Sequence, residues 1–340
     1  VGDNALSASG SGSANSVLGQ SAMANNTSGS NNVGIGYQAL LSNTTASENT
    51  AVGYQAGYTN STGLYNTLVG YQSGYLNTAS YNTYLGHKAG YTTSSGTENV
   101  AVGQAALYYN TIGGYNVAIG RTALLNNTTA DNNTAVGYQS AYSNTTGYQN
   151  SAFGRKAMYS NTTGYVNVAV GDLALYSNTT GISNVAIGYA SFYANVSGSQ
   201  SVAIGREAGY SATSGNVTYI GYQAGQYQTN NNNTAVGLGA LAGSSGATAS
   251  NSIAIGQSTL GSATTGNNNT GVGFQALLNN TIADNNTAVG YASLYSNVTG
   301  TGNTAVGKSS GHDLIGSNNT IVGSGAGYGG ASAKIGRAHV

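Results

Sequence analysis

Along most of the chain a short apolar run closes on a glycine, and the run returns at a nearly constant spacing. Asn133–Gln149, NTAVGYQSAYSNTTGYQ, is one copy. Taking the closing glycine as the anchor gives 19 anchors, from Gly19, Gly36 and Gly53 to Gly290, Gly307 and Gly323. Of the 18 intervals between them, thirteen are 17 residues, four are 16, and one, between Gly237 and Gly256, is 19. Self-similarity at a fixed length marks a repeat array. This period is too short for a helix pair or a propeller blade, and it is neither a heptad nor a collagen triplet. It suits one coil of a parallel β-solenoid, in which short strands stack at the strand spacing and tight corners join them. The pattern therefore predicts an all-β chain of about 19 coils with a 17-residue repeat.

Within the unit, the residue before the anchor is always large and apolar, as in Val52, Ile119, Phe153 and Val289. Three before it stands Thr, Val, Ser or Ile, on the same face by strand alternation. We expect this pair to point into the coil. Two before the anchor, Ala predominates (Ala135, Ala288) and takes the opposite face, so the strand is apolar on both sides. A lone exposed rod has no need of that, whereas one packed against partner copies has. Three after the anchor lies Ala, Ser or Thr, followed by a large residue (Leu40, Leu107, Met158) or by glycine (Gly57, Gly74, Gly90). This reads as a second short strand facing the first. Four before the anchor, 16 of 19 copies carry Asn, such as Asn133 and Asn150. Two structural readings stay open there: a ladder of side-chain amides along the axis, or a turn residue tolerating a left-handed backbone.

The repeat also sets the domain organisation. Residues 1–14 read as an incomplete first coil, 15–330 as one solenoid domain, and 331–340 as a non-repeat tail. The last six residues, Ile335–Val340 (IGRAHV), look like a translated sequencing adapter, so Arg337 and His339 are not read as a site. The longest interval places an insertion within Gly243–Asn251, expected to bulge at a corner. Charged residues make up 5% of the chain and the formal net charge is zero; proline, cysteine and tryptophan are absent. Without cysteine there is no disulfide framework and no thiolate metal site. No run is long and apolar enough to span a membrane as a helix, and zero net charge argues against a nucleic-acid partner.

Candidate chemistry lies in columns. The position just after the anchor holds Tyr37, Tyr54, Tyr71, Tyr138, Tyr189, Tyr222 and Tyr291, but also Arg121, Arg155, Arg206, Lys308, Asp172 and His87. Charges are rarely buried without a partner, so this column is expected to be at least partly exposed. Five after the anchor stand Tyr58, Tyr75, Tyr91, Tyr108, Tyr142, Tyr159, Tyr176, Tyr193 and Tyr210. They read either as a structural aromatic ladder or as an adhesive wall that binds glycans by ring stacking. The NTTG turns contain aligned glycosylation sequons at Asn26, Asn43, Asn60, Asn127, Asn144, Asn161, Asn178, Asn195 and Asn297, although chance alone produces many in so Asn- and Thr-rich a chain. No catalytic set, metal site or cofactor site recurs. Acids are scattered singly, and the adjacent His312 and Asp313 read as a solvated corner.

The segments Asn116–Gly120 and Asn184–Gly188 (NVAIG) and Ser201–Gly205 (SVAIG) resemble the head repeats of trimeric autotransporter adhesins. The longer unit, Asn133–Gly147, is similar to repeat arrays of phage tail fibres and bacterial surface proteins that end in an intramolecular-chaperone peptidase domain. The resemblance covers Asn15–Gly323. It implies a left-handed parallel β-roll, a parallel homotrimer, and adhesion or host recognition outside the cell or on a virion. The expected function is thus a non-enzymatic extracellular fibre or adhesin whose partners are copies of itself and cell-surface glycans. The alternatives are a self-assembling filament subunit without a ligand, and an ice-binding solenoid. An ice-binding array would need a regular threonine column; Thr50, Thr67 and Thr83 begin one that Val100, Val117, Val168 and Val185 interrupt.

Overall fold

The computed structural model describes residues 2–8 and 10–329. The tail at 331–340 lies outside the described residues. The chain divides into two compact units, Val1–Asp172 and Leu173–Val340. The first contains ten strands, from β1 (Ser16–Leu18) to β10 (Val168–Val170); the second contains nine, from β11 (Val185–Ile187) to β19 (Thr320–Val322). Every strand is three residues long, and no helix occurs among the described residues. In each unit the strands of successive coils pair in parallel with identical positions opposed, as in Val117↔Thr134, Ala118↔Ala135 and Ile119↔Val136. The fold is the parallel β-solenoid that the period predicts. The register survives the irregular intervals: Val69 opposes Leu85 across a short one and Val236 opposes Ile255 across the long one. Length changes are therefore absorbed in the turns. At the long interval Ser244, Ser245 and Gly246 are exposed.

The strand faces are the reverse of those expected. Alanine two before the anchor is the buried residue, with Ala51, Ala135 and Ala288 all 0% exposed. The large neighbours on either side of it face outward; Leu18 is 56% exposed, Leu85 46% and Val322 68%. In these coils the space behind the wall is too small for a branched side chain. The interior is already occupied by the large residue four after the anchor, such as Leu40, Leu107, Met158 or Leu175, each 0% exposed.

Nor is there a second strand after the anchor. The backbone instead makes a run of tight turns in which the second and fourth residues adopt the left-handed conformation, as in Gln38 (φ 55°) and Leu40 (φ 51°). Its hydrogen bonds alternate in direction. The amides of Gln38, Leu40 and Ser42 donate to carbonyls of adjacent coils (Gln20, Ala56 and Tyr58), and those of Ala39, Leu41 and Asn43 close turns onto Gly36, Gln38 and Leu40. The left-handed turn at the fourth residue lets two consecutive side chains, such as Ala39 and Leu40, both point inward.

Core volume is conserved between the two walls. Beside a fourth-position glycine, a large residue on the strand wall of the same or the next coil fills the space: Leu68 lies against Gly57 and Gly74, Tyr84 against Gly90, and Tyr219 against Gly209 and Gly225. Close packing is thus kept by large side chains that span adjacent layers, from either wall. The anchor glycines are fixed for a different reason. Gly53 has φ 142°, and a Cβ there would lie 2.3 Å from the carbonyl oxygen of Gly70.

Asparagine lines the interior in two columns. Four before the anchor, Asn49 accepts the Asn66 amide at 2.9 Å and donates to the Gly63 carbonyl at 2.8 Å; Asn133 repeats this with Asn150 and Gly147. The ladder reading is the one observed. The left-handed residue is the one before it, as in Asn132 (φ 60°) or Glu48 (φ 60°).

Candidate functional surface

The columns predicted from the sequence are columns in space. In the first unit Tyr58, Tyr75, Tyr91 and Tyr108 stack with centroid separations of 5.0, 5.2 and 4.9 Å, and Tyr142 and Tyr159 pair at 5.1 Å. In the second, Tyr176, Tyr193 and Tyr210 stack at 5.1 and 5.0 Å. These rings are half-buried. The column next to the anchor is more open: Tyr37, Tyr54, Tyr71 and His87 stack at 5.2, 5.0 and 5.0 Å, with Tyr54 41% exposed. A third set escaped the sequence reading. On the outer turn Tyr65 stacks on Tyr81 at 5.0 Å, and Tyr148 on Tyr165 at 4.7 Å. The signal was present, since the members of each pair stand at equal distances from their own anchors.

Ring planes within these stacks differ by 14° or less. Successive rings thus cover one another's faces, and the column presents ring edges and phenolic hydroxyls to the outside. Glycan binding by face stacking, one of the two expectations for this wall, finds no uncovered ring face along a stack. Burial raises the pKa of Tyr75, Tyr108 and Tyr210, and neighbouring tyrosines add to the effect. Burial pushes the hydroxyls of Tyr84 and Tyr219, inside the coil, further above the ordinary phenol range.

The cations lie beside or within the same columns. Lys88 lies 5.2 Å from the Tyr91 centroid and Lys156 5.3 Å from that of Tyr159. The Arg206 guanidinium sits between Tyr189 and Tyr222, at 5.6 and 5.8 Å. Arg155 pairs with Asp172 of the next coil at 2.9 Å. At such exposed sites a cation–π contact contributes about 0.5–1 kcal/mol and an ion pair about 0–1 kcal/mol. Next to the anchor, Arg155, Asp172 and Arg206 stand where other coils have tyrosine, whereas Lys88 and Lys156 cover tyrosines of their own coils.

The sequon asparagines are inside. Asn43, Asn60, Asn127, Asn144, Asn161 and Asn178 are all 0% exposed. The Asn43 amide nitrogen donates to Asn26 Oδ1 at 2.7 Å and to the Ala46 carbonyl at 3.1 Å; Asn144 does the same with Asn127 and Gly147 at 2.9 and 2.8 Å. A glycan would have to be attached to that nitrogen, so the folded coil has no room for one and the sequon reading is corrected. Outside this column runs a shallow groove of about 540 Å³, lined by Thr92, Tyr109, Thr111, Asn126, Thr128, Ser143 and Thr145. Its threonine hydroxyls already donate along the axis, Thr111 to the Thr128 carbonyl at 2.9 Å and Thr128 to that of Thr145 at 3.1 Å.

His312 occupies a tyrosine-column position, between Tyr295 at 4.8 Å and Tyr328 at 4.9 Å, with Nδ1 2.6 Å from Asp313 Oδ1. That contact holds the Asp313 carboxyl below its ordinary range. Ser296 donates to the same carboxylate oxygen at 3.2 Å. The hydroxyl is thus directed at the acid and makes no relay with the imidazole. Among the described residues no group of three or more His, Cys, Asp or Glu could hold a metal ion. No protein-family model matches the chain, and no curated protein matches it.

Proposed function

We propose that this chain is a segment of a non-enzymatic extracellular fibre or adhesin, in which copies of the chain bury the outward strand face against one another and present the tyrosine columns to the surroundings. The observation that carries this reading is the outward column itself. Ile35, Val52, Val69, Leu85, Val102, Ile119, Val136, Phe153 and Val170 succeed one another on a parallel sheet whose outer face has no cover in the single chain. Parallel sheets ordinarily have both faces covered, and a contiguous exposed apolar patch marks an association surface. The resemblance to trimeric adhesin heads suggests three parallel copies. Cell-surface glycans would then meet ring edges and hydroxyls on the remaining faces.

The test is the particle mass in solution together with its image. The chain should run as a defined oligomer, and Val102→Asp with Val136→Asp should dissociate it while the β-sheet circular dichroism persists. A compact monomer at high concentration would end this reading. Replacing Tyr142, Tyr159 and Tyr176 with Ala should abolish glycan or cell binding by an adhesin; a filament subunit would show no such binding to lose.

A second reading draws on the same face. In the second unit Thr270, Thr287, Thr304 and Thr320 stand outward in consecutive coils beside Val272, Val289, Val306 and Val322. A flat lattice of hydroxyls and methyls is what an ice-binding solenoid requires. If the chain is monomeric, thermal hysteresis should be measured.

A further inference from the structure

The chain has 27 tyrosines and no cysteine. Its coils are therefore joined by hydrogen bonds and packing, with no disulfide between them, while tyrosines of successive coils stand ring against ring. We propose that the exposed stacked pairs are sites of oxidative tyrosine coupling, which joins one coil to the next through a carbon–carbon bond.

The outer-turn pair is the clearest case. Tyr65 and Tyr81 are 46% and 56% exposed, their centroids are 5.0 Å apart and their planes differ by 11°. Both stand two residues before opposed strand positions, Thr67 and Thr83, so the coil register fixes which ring each one meets. Tyr37 and Tyr54, at 39% and 41% exposed and 5.2 Å apart, form a second such pair. The oxidant is hydrogen peroxide acting through a haem peroxidase. Each phenol gives up one electron and its hydroxyl proton, leaving two phenoxyl radicals. The ring carbons ortho to the two oxygens join, and the hydrogens on those carbons move to the oxygens, restoring both phenols. The two tyrosines together lose two electrons and two protons, which reduce one peroxide to two waters. The stack supplies proximity: a radical on one ring has its coupling partner in place.

The molecule carries its own controls. Tyr84 and Tyr219 are 0% exposed and out of reach of a peroxidase. Tyr115 is 54% exposed but has Glu98 and Asn132 at its position in the adjacent coils. It can be oxidised but has no ring at hand.

The experiment treats the dilute full chain with a haem peroxidase and peroxide, then reads dityrosine fluorescence and the two-hydrogen mass loss in peptic peptides. Links between Tyr65 and Tyr81 and between Tyr37 and Tyr54 are expected, with Tyr84, Tyr219 and Tyr115 left unlinked within the chain. Tyr81→Phe should remove the first link and keep the second. The same reaction in urea should scatter the pairs. The proposal is overturned if the folded chain consumes peroxide without forming dityrosine, if Tyr115 links as often as Tyr65, if links form only between copies, or if folded and unfolded chains give the same pairs.

Discussion

Val166 holds a backbone conformation that β-branched residues avoid, with φ 57° five residues before its anchor. Asn132 and Asn285 fill the same position in other coils, at φ 60°, and asparagine tolerates this region far better. The Val166 side chain is 43% exposed, so removing it sacrifices little packing. Val166→Asn should therefore stabilise the chain by about 1 kcal/mol, read as an upward shift in the thermal midpoint. Gly137 is the opposite case. Its φ is 138° and a Cβ would meet the Gly154 carbonyl oxygen at 2.4 Å. Gly137→Ala should lose about 1–3 kcal/mol to backbone strain alone, with the clash in addition. The two buried tyrosines give a pH dependence of definite sign. Their hydroxyls have pKa values raised by burial above that of the unfolded chain, near 10. Folding thus favours the neutral phenol: the contribution is fully present below about pH 10 and is lost as pH rises through the folded values. Alkaline titration followed by circular dichroism should show unfolding above about pH 10, and Tyr84→Phe should make it less steep.

At the level of the coil, the asparagine ladder carries backbone groups that the turns leave without partners. Removing the Asn133 side chain strands the buried Asn150 amide, while the Gly147 carbonyl keeps its bond from Asn144. An unsatisfied buried amide costs roughly 1–3 kcal/mol, so Asn133→Ala should destabilise the chain by that order, read as a lower denaturant midpoint. Asn133→Ser should cost less, because Ser201 and Ser252 already show how a hydroxyl accepts the next amide, from Val217 and Asn269 at 3.2 Å. This ladder was legible in the sequence because a polar residue recurring at one offset in 16 of 19 copies must recur for a shared reason. The tyrosine columns were legible on the same ground. Which strand face is inside was not. Alternation shows that Val136 and Thr134 share a face and that Ala135 takes the other, but it is silent on which face meets the core. Size pointed to valine, whereas a large residue from the turn, such as Leu40 or Leu107, fills the interior of most coils and leaves the strand wall room for an alanine methyl. The left-handed turns were hidden because ordinary residues such as Gln38, Leu40 and Met158 occupy them; only Gly57, Gly74 and Gly90 hinted at the conformation.

On the scale of the molecule, the same coil is used again and again, and within each unit the strand of a coil pairs with those of the coils before and after it. Stability in such arrays is close to a sum of coil and interface terms. Deleting Asn133–Gln149 would join Asn132 to Asn150 and bring one asparagine into the place of another. Every column would continue: the strand of Ser151 would follow that of Val117, and Arg155 would take the place of Tyr138 after Arg121. The shortened chain should fold with its cooperative transition intact and a thermal midpoint close to that of the parent. A deletion of half that length should not, even though it removes fewer contacts. It would set the outward strand residues of one coil against the turn of the next, expose the interior asparagines and break both amide ladders. Thermal unfolding of the two deletions separates the cases. If the half-coil deletion were as well tolerated as the whole-coil one, position within the 17-residue unit would not govern stability, and the function proposed from aligned columns would lose its footing.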